Sequence, residues 1–209
     1  MSSEEIDRLQ AEIDRLEEQN KKLRVRNRRW MRIAGTDDLT ALPNKVFFST
    51  ALLPQAISRS NAEGHPLACI MLAPDNLGDI NKRFGRKGGD QIVTEVAEYI
   101  KGKISPTEKL VHFDGANFVV LIPKGELVDG RKRSLALRAG IVSRHFQCDS
   151  EVISLTLSMG IVARSPSPEG VQINTKEVVE EFFRRLVLML DQAKQQGGDR
   201  PVEDEDMDF

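Results

Sequence analysis

A heptad repeat at the N-terminus constrains this chain most, because a helix with an apolar seam has to bury that seam against another helix. Between about residues 4 and 34, seam residues recur alternately every three and four positions. The successive a and d positions are Ile6, Leu9, Ile13, Leu16, Asn20, Leu23, Asn27 and Trp30. About four heptads suffice for a stable coil, so the pattern predicts a coiled-coil dimerisation helix over residues 1–35 and a homodimer.

The sequence leaves the orientation of the two helices open. Ile at a, Leu at d and an Asn at a, such as Asn20, favour a parallel two-stranded coil. The first half of the helix is acidic and the second half basic, which favours an antiparallel pair. We prefer the parallel coil, because the antiparallel one would set Asn20 opposite a Leu. The basic half is interpreted as a solvated helix face rather than a patch for nucleic acid or membrane.

Residues 36–197 have the pattern of one α/β domain. A helix is expected from Pro43-Asn44 to about Ser60, with a bend at Pro54. Strands are predicted at "PLACIMLA", "EKLVHF", "NFVVLIP" and "VISLTLSMGIVA". Further helices are predicted at "DNLGDINKRFGRKGGDQIVTEVAEYIKGKI", interrupted by glycine, at "RKRSLALRAGIVSRHF" and at "EVVEEFFRRLVLMLDQAKQQ". Interleaved strands and helices indicate a single sheet surrounded by helices.

Composition adds an expectation for the tail and for the location. Residues 198–209 are acidic and open with glycine, so we expect a disordered tail. The net charge is only -2, which gives no strong attraction to polyanions, and nucleic acid is not an expected partner. The longest apolar stretch, "LACIMLA", is too short to cross a membrane, and the acidic, polar N-terminus is not a signal peptide. We therefore predict a cytoplasmic protein with no membrane partner.

Five segments, in this order, carry a resemblance to a known family. They are "DDLTALPNKVFF", "LAPDNLGDINKRFGRKGGD", "HFDGANFVVLIP", "LTLSMGIVA" and "DQAKQQG". From about residue 36 to 197 the chain resembles the GGDEF domain family, the diguanylate cyclases. The resemblance implies an α/β fold whose sheet is like that of nucleotidyl cyclases and polymerase palm domains, with surrounding helices. It also implies the joining of two GTP molecules into cyclic di-GMP between two such domains, often preceded by a coiled coil.

The resemblance implies two divalent cations, and the residues at those positions depart from the family pattern. Of the family's "DxD" pair, the metal-binding first position is Ala73 and the other is Asp75. The signature turn is degenerate, with Asp114, Gly115, Ala116, Asn117 and then Phe118. Mg²⁺ needs oxygen ligands, and Ala116 and Asn117 replace two acids. We therefore predict neither a metal site nor a cofactor, with Mg²⁺ needed only if activity is retained.

The nucleotide-binding positions are better kept. The resemblance places the guanine-binding side chains at Asn81 and Asp90, although capping of local structure would explain both as well. It places the phosphate-binding Lys at Lys194, whereas the family's Arg four positions later is Gly198. The family's product-binding "RxxD" is replaced by residues 105–108, "SPTE", so feedback binding of cyclic di-GMP is not expected there.

Together these departures predict a chain that is not an enzyme. The favoured hypothesis is a dimeric regulatory, scaffold or interaction module in bacterial cyclic di-GMP-type signalling, acting on an unidentified protein partner. The alternative is a sensor that binds a guanine nucleotide, GTP or cyclic di-GMP, without turnover. A third hypothesis is a working cyclase with displaced metal ligands.

Overall fold

A computed structural model describes residues 3–148, 150–168 and 174–204, with the side chains of residues 3–7 and 24–33 outside the description. The predicted N-terminal helix is present as α1, Ser3–Ala34. Leu9, Ile13, Leu16 and Leu23 are each about half exposed along it, between 48% and 52%. Asn20 is exposed too, and the side chains of Ile6, Asn27 and Trp30 lie outside the description. The helix thus presents an apolar seam to solvent, while the coiled coil and the homodimer stay predictions.

A compact turn over residues 35–44, here called the linker turn, joins α1 to the domain. Thr36 forms an isolated antiparallel bridge with Pro43, and Asp37 N–H donates to Leu42 O at 2.8 Å. The Asn44 side chain donates to Ala34 O at 2.8 Å and accepts from Phe47 N at 3.0 Å. One amide therefore caps the next helix while it holds the last residue of α1.

The helix predicted after Asn44 is divided into three pieces. These are α2 (Lys45–Phe47), a π-helical turn (Phe48–Leu52) and α3 (Leu53–Glu63). Pro54 lies in the first turn of α3, where its missing N–H costs nothing. The irregular stretch therefore lies in the turn directly before Pro54.

The domain is built on a five-stranded sheet, which confirms the predicted α/β class. Its strands are β1 (Leu67–Pro74), β2 (Lys109–Asp114), β3 (Asn117–Pro123), β6 (Leu157–Arg164) and β7 (Pro201–Asp204), in the order β2-β3-β1-β6-β7. The first three pairings are antiparallel and β6–β7 is parallel. All eight residues of β1 are buried, because helices cover both faces of the sheet.

The two faces of the sheet form two core clusters. On one face, α4 (Leu77–Lys101) and α5 (Leu127–Val142) pack on Ile70, Leu72, Phe118 and Val120. On the other, α3 and α6 (Thr175–Gln195) pack on Cys69, Met71, Val119 and Leu121. A small hairpin of β4 (Phe146–Cys148) and β5 (Glu151–Ile153) lies beside α4. The single strand predicted from "VISLTLSMGIVA" is therefore divided between β5 and β6.

The structure corrects the prediction of a disordered tail from residue 198. Residues 201–204 form β7, because the edge of β6 offers backbone partners and arginines of α5 and α6 neutralise the acidic side chains. Arg131, Arg138 and Arg185 pair with Glu203, Asp199 and Asp204, respectively. Residues 205–209 lie outside the described part of the chain.

No helix within the described residues combines the length and apolar character that a membrane span requires. The cytoplasmic location stays a prediction.

Candidate functional site

The candidate residues gather at one end of the sheet. The last residues of β1 lie beside the first residues of β3 and β6, with Leu72 opposite Phe118 and Ala73 opposite Ser158. The hairpin tip at residues 114–117 therefore lies next to Ala73. The chain leaves this end of β1 directly into α4, which carries both predicted guanine-binding residues.

A break in α4 brings those two residues close together. In a straight helix Asn81 and Gly89 would be about 12 Å apart along the axis, at about 1.5 Å per residue. Gly85 instead has φ +69° and ψ -179°, which a residue with a side chain rarely adopts, and the chain changes direction there. As a result the Asn81 amide packs on Gly89, where an added Cβ would lie 1.8 Å from Asn81 Oδ1. Asp90 is the next residue.

Both side chains are exposed and have no partner within the described residues. The only cap-like bond at these positions uses the Asp90 backbone, whose carbonyl accepts from Thr94 Oγ1. The structure therefore does not support capping as the reason for Asn81 and Asp90. An amide and a carboxylate side by side offer donors and acceptors together, which suits the guanine edge with its N–H donors and its O6 acceptor. Their binding of guanine stays a prediction.

At the end of β1 the two "DxD" positions have different environments. Ala73 is 2% exposed and belongs to the core face shared with α6. The Asp75 carboxylate accepts from Thr156 Oγ1 at 2.6 Å, from Asp199 N at 3.0 Å and from Ser158 Oγ. Asp75 therefore ties β1 to the start of β6 and to the segment that leads into β7.

The signature segment forms a tight hairpin tip. Asp114 pairs with Asn117 across it, and Gly115 takes φ +54°. The Asp114 carboxylate accepts from Asn117 Nδ2 at 2.7 Å and from Lys45 Nζ at 3.2 Å. Lys45 thus offsets part of the negative charge that was expected to repel phosphates.

These residues do not fit a magnesium ion. Two of the positions that the resemblance assigns to ligands carry methyl groups, Ala73 and Ala116, and the Asp75 and Asp114 carboxylates are bonded within the protein. Over the described ranges, no three His, Cys, Asp or Glu side chains are grouped as they would be around a metal ion. The prediction that no cofactor is required stays untested.

The phosphate-binding candidate lies in the last turn of α6. Lys194 is exposed, and its ammonium makes no ion pair or hydrogen bond with the described residues. Gly198 takes φ +71°, and an added Cβ would lie 3.0 Å from the Asp75 carboxylate. A side chain at position 198 would therefore point toward Asp75. Lys194 remains the candidate for binding phosphate.

Sequence reasoning missed the role of His112, which it treated only as a strand residue. The ring is 6% exposed and stacks on Phe118, with 5.0 Å between ring centroids. Its Nδ1 lies 2.8 Å from Asp37 Oδ1, and its Nε2 lies 2.9 Å from Gly115 O. Partial burial alone would raise the pKa of Asp37, but its contacts with His112 and Thr40 outweigh burial and lower it. Asp37 and Thr40, three residues apart in the sequence, could have indicated their own hydrogen bonds but not the contact with His112.

Residues 105–108, at the position of the family's product-binding motif, form hydrogen bonds within the protein. Glu108 is 7% exposed, and Arg133 donates to it from Nε at 3.1 Å and from Nη2 at 2.9 Å. Its other carboxylate oxygen accepts from Ser105 N at 2.6 Å. This acid therefore anchors α5 to the loop before β2.

Known proteins resemble the chain over this whole region. It is 33% identical over 165 residues to diguanylate cyclase DgcP of Pseudomonas aeruginosa, covering 79% of the chain and 23% of DgcP. It is 25% identical over 156 residues to the response regulator PleD of Caulobacter vibrioides, covering 74% of the chain and 34% of PleD. The chain thus spans about a quarter to a third of these two relatives.

Solved structures show the same fold. The coiled coil and GGDEF domain of DgcB from Caulobacter crescentus, in complex with c-di-GMP, has a TM-score of 0.73 at 23% identity, covering 94% of this chain and 99% of that one. Diguanylate cyclase SiaD of Pseudomonas aeruginosa, in complex with its activator SiaC, also has a TM-score of 0.73, at 21% identity. That match covers 96% of this chain and 74% of SiaD.

The relatives contradict the prediction that this chain is not an enzyme. That prediction rested on the residues at four or five positions, whereas several similar proteins are named as diguanylate cyclases, in species of Pseudomonas and Treponema among others. Similarity over the whole domain outweighs an argument from single positions. The prediction is therefore corrected: the chain comes from an enzyme family.

The family model described as "Diguanylate cyclase, GGDEF domain" matches residues 34–200, most of the chain. The match covers the sheet end, the broken helix and the hairpin tip described above. The chain therefore belongs to the GGDEF domain family of diguanylate cyclases.

Proposed function

We propose that this chain is a dimeric regulatory module of cyclic di-GMP signalling whose GGDEF domain binds a guanine nucleotide. The observation that carries the proposal is the pair Asn81 and Asp90, held together by the break at Gly85 and bonded to none of the described side chains. Exposed polar groups that the protein leaves unbonded are bonded to water and stay available to a ligand, and the family supplies guanine as the chemistry to test.

Guanine suits this pair better than adenine does. A carboxylate such as that of Asp90 accepts from the ring N–H and the exocyclic amino group of guanine, and adenine lacks that pair of donors. A hydrogen bond to a charged group contributes about 1.5–3 kcal/mol. Since the pair is exposed, we expect the lower part of this range and a preference for guanine of about tenfold or more.

The dimeric part of the proposal rests on α1. Its apolar seam is exposed at four described positions, and burial of such a seam is worth roughly 25 cal/mol for each Å² removed from water. The family neighbour DgcB has a coiled coil in the same chain as its GGDEF domain. The SiaD structure contains an activator protein, and we propose that this chain too acts on a protein partner.

Calorimetric titration of the full chain with GTP, GDP, cyclic di-GMP and ATP tests nucleotide binding. We expect binding of at least one guanine nucleotide, weaker binding of ATP, and loss of binding in the Asn81→Ala, Asp90→Ala double variant. Asp79→Ala is the matched control, since Asp79 lies on the same helix and, among the described residues, its carboxylate pairs only with Lys82. Equal affinities for ATP and GTP, or an unaffected double variant, would refute the proposal.

The same samples, separated by chromatography after incubation with GTP and Mg²⁺ or Mn²⁺, report whether cyclic di-GMP forms. Formation of cyclic di-GMP would show that the bound GTP is turned over. Its absence would leave the binding proposal intact.

Sedimentation of the full chain tests the dimer. Leu16→Asp places a charge on the seam and should give monomers at micromolar concentration. Ala11→Asp adds the same charge on the outer face of the helix and should leave the dimer intact. A full-length monomer would rule out the coiled coil.

A further inference from the structure

His112 is a buried histidine whose two ring nitrogens both face oxygen atoms that only accept hydrogen bonds. Nδ1 lies 2.8 Å from a carboxylate oxygen of Asp37, and Nε2 lies 2.9 Å from the carbonyl oxygen of Gly115. The N–H direction at Nδ1 is not aligned for a regular hydrogen bond, so its contact with Asp37 is electrostatic.

A neutral imidazole cannot satisfy both contacts. It carries one N–H, and its other nitrogen presents a lone pair. Whichever tautomer formed, a ring nitrogen with a lone pair would lie within 3 Å of an oxygen atom, on a ring that is 6% exposed. The imidazolium has a proton on Nε2 for the hydrogen bond to Gly115 O and a positive charge beside the Asp37 carboxylate, so it suits both contacts.

We propose that His112 is held as an imidazolium and that it clamps the hairpin tip to the linker turn in a proton-dependent manner. Loss of one proton opens one of its two contacts, either the contact with Asp37 or the contact with Gly115. His112 is thereby a positioning residue for the hairpin tip, and this role does not rest on nucleotide binding.

The clamp links the linker turn to the hairpin tip. On one side, the linker turn holds the end of α1 through Asn44, which donates to Ala34 O. On the other side, Gly115 is the apex of the tip that lies beside Ala73. The His112 backbone strengthens the link, since its N–H donates to Pro43 O at 2.9 Å. A change at the end of α1 therefore has a short bonded route to the tip.

The charged groups around His112 leave Asp37 as its counter-ion. From α2, Lys45 is directed to Asp114 at the tip, and these two neutralise each other at 3.2 Å. From β3, the ring meets the apolar Phe118, and Asn117 at the base of the tip is uncharged. Asp37 itself is held in place by Thr40, whose backbone N and Oγ1 both donate to Oδ1.

The clamp has a pH window with two edges. Because folding lowers the pKa of Asp37, its share of the stability is present above the ordinary carboxyl range and is lost as the pH falls through the lowered value. On the alkaline side, the clamp weakens as the imidazolium loses a proton. Histidine is the side chain whose charge changes most readily around neutral pH, so the alkaline edge is the regulatory one.

Long-range proton–nitrogen NMR of the ¹⁵N-labelled full chain tests the proposal directly. At pH 7 we expect protons on both ring nitrogens of His112. His112→Gln assigns the signals. Asp37→Asn keeps an acceptor for Thr40 but removes the charge, and should return His112 to a neutral tautomer. A neutral His112 ring in the wild-type chain at pH 7 would overturn the proposal.

A second measurement compares unfolding of the wild-type chain and of His112→Gln between pH 6 and pH 9. The stability difference between them should shrink by at least half as the pH rises, because only the wild type loses a proton-dependent contact. For the control His145→Gln the difference should not change with pH. A constant difference for His112→Gln would mean that the ring acts only by packing, and would also overturn the proposal.

Discussion

The broken helix α4 and the strand ends around β1 form two halves of one candidate site, and they use their polar side chains in different ways. On α4, the Asn81 amide and the Asp90 carboxylate are exposed and bonded to no described residue. At the strand ends, Asp75 and Asp114 are exposed as well, yet each carboxylate is bonded on both oxygens. Exposure therefore does not separate the two halves, whereas internal bonding does.

The difference teaches which groups are available for a ligand. A ligand that binds Asp90 exchanges bonds with water for bonds with itself. A ligand or cation that binds Asp75 has to share its carboxylate with Thr156, Ser158 and the Asp199 backbone, and each bond that it displaces costs about 0.5–1.5 kcal/mol or more where the acceptor is charged. The α4 half is thus available to a partner, whereas the carboxylates of the strand-end half are bonded within the fold.

The largest effect should come from Asp90→Asn. The amide places an NH₂ donor against the guanine donors that the carboxylate would accept, so we expect GTP affinity to fall by about 100-fold, or roughly 2.7 kcal/mol. Titration calorimetry measures it, with Asp79→Asn as the control on the same helix. If Asp90→Asn bound GTP as the wild type does, the two halves would not differ in the way we describe.

Asp75→Ala should affect stability rather than binding. It removes the acceptor of two hydroxyls and one backbone N–H, and we expect the free energy of unfolding to fall by about 1–3 kcal/mol, allowing for the exposure of the side chain. Urea unfolding followed by circular dichroism provides the measurement. Asp79→Ala, whose carboxylate pairs with Lys82 at 80% exposure, should change it by less than about 0.5 kcal/mol. Unchanged stability with lost nucleotide binding would move Asp75 to the ligand-binding half.

Gly89→Ala should separate the two properties within α4. The added Cβ would displace the Asn81 amide, which is the flexible end of an exposed side chain, so GTP affinity should fall by about tenfold. Stability should be unchanged or rise by up to about 1 kcal/mol, because alanine is the better helix former. Gly78→Ala is the matched control. Gly78 lies in the same helix, an added Cβ there would meet no atom within 4 Å, and the variant should leave binding intact. Equal affinities in the two variants would mean that Asn81 does not read the base.

The sequence predicted those elements of the fold whose signal is local. The continuous apolar run of β1 and the two runs flanking the 114–117 turn indicated strands, and all three lie in the central sheet. It failed for β7, since Pro201 to Asp204 carry two acids and form a strand against β6 and two distant arginines. It also joined β5 to β6, because nothing local shows that Thr156 O is needed by the Asp75 N–H.

The candidate site follows the same division. Asn81 and Asp90 were named from the sequence, but their juxtaposition depends on the backbone of Gly85, and their lack of partners is visible only in three dimensions. His112 gave no signal, because its partners Asp37 and Gly115 come from segments on either side of it that meet only through folding. Residue types at family positions could be read directly, but how each carboxylate is bonded could not.

The smallest effect we expect is that of magnesium on GTP affinity. In the strand-end half, Ala73 and Ala116 supply no oxygen, and the carboxylates beside them are already bonded, whereas Mg²⁺ requires near-octahedral oxygen ligation. The proposed guanine recognition by Asn81 and Asp90 needs no metal, and Lys194, if it binds the phosphates, would offer them an organic cation instead. Affinity measured in EDTA and in millimolar Mg²⁺ should therefore differ by less than about twofold, a free-energy change of roughly 0.4 kcal/mol. Lys194→Ala should weaken binding equally in both conditions, and Lys194→Arg should preserve it. Tight binding that requires Mg²⁺ would mean that Asp75 or Asp114 exchanges its internal bonds for the cation, and the contrast between the two halves would then not hold.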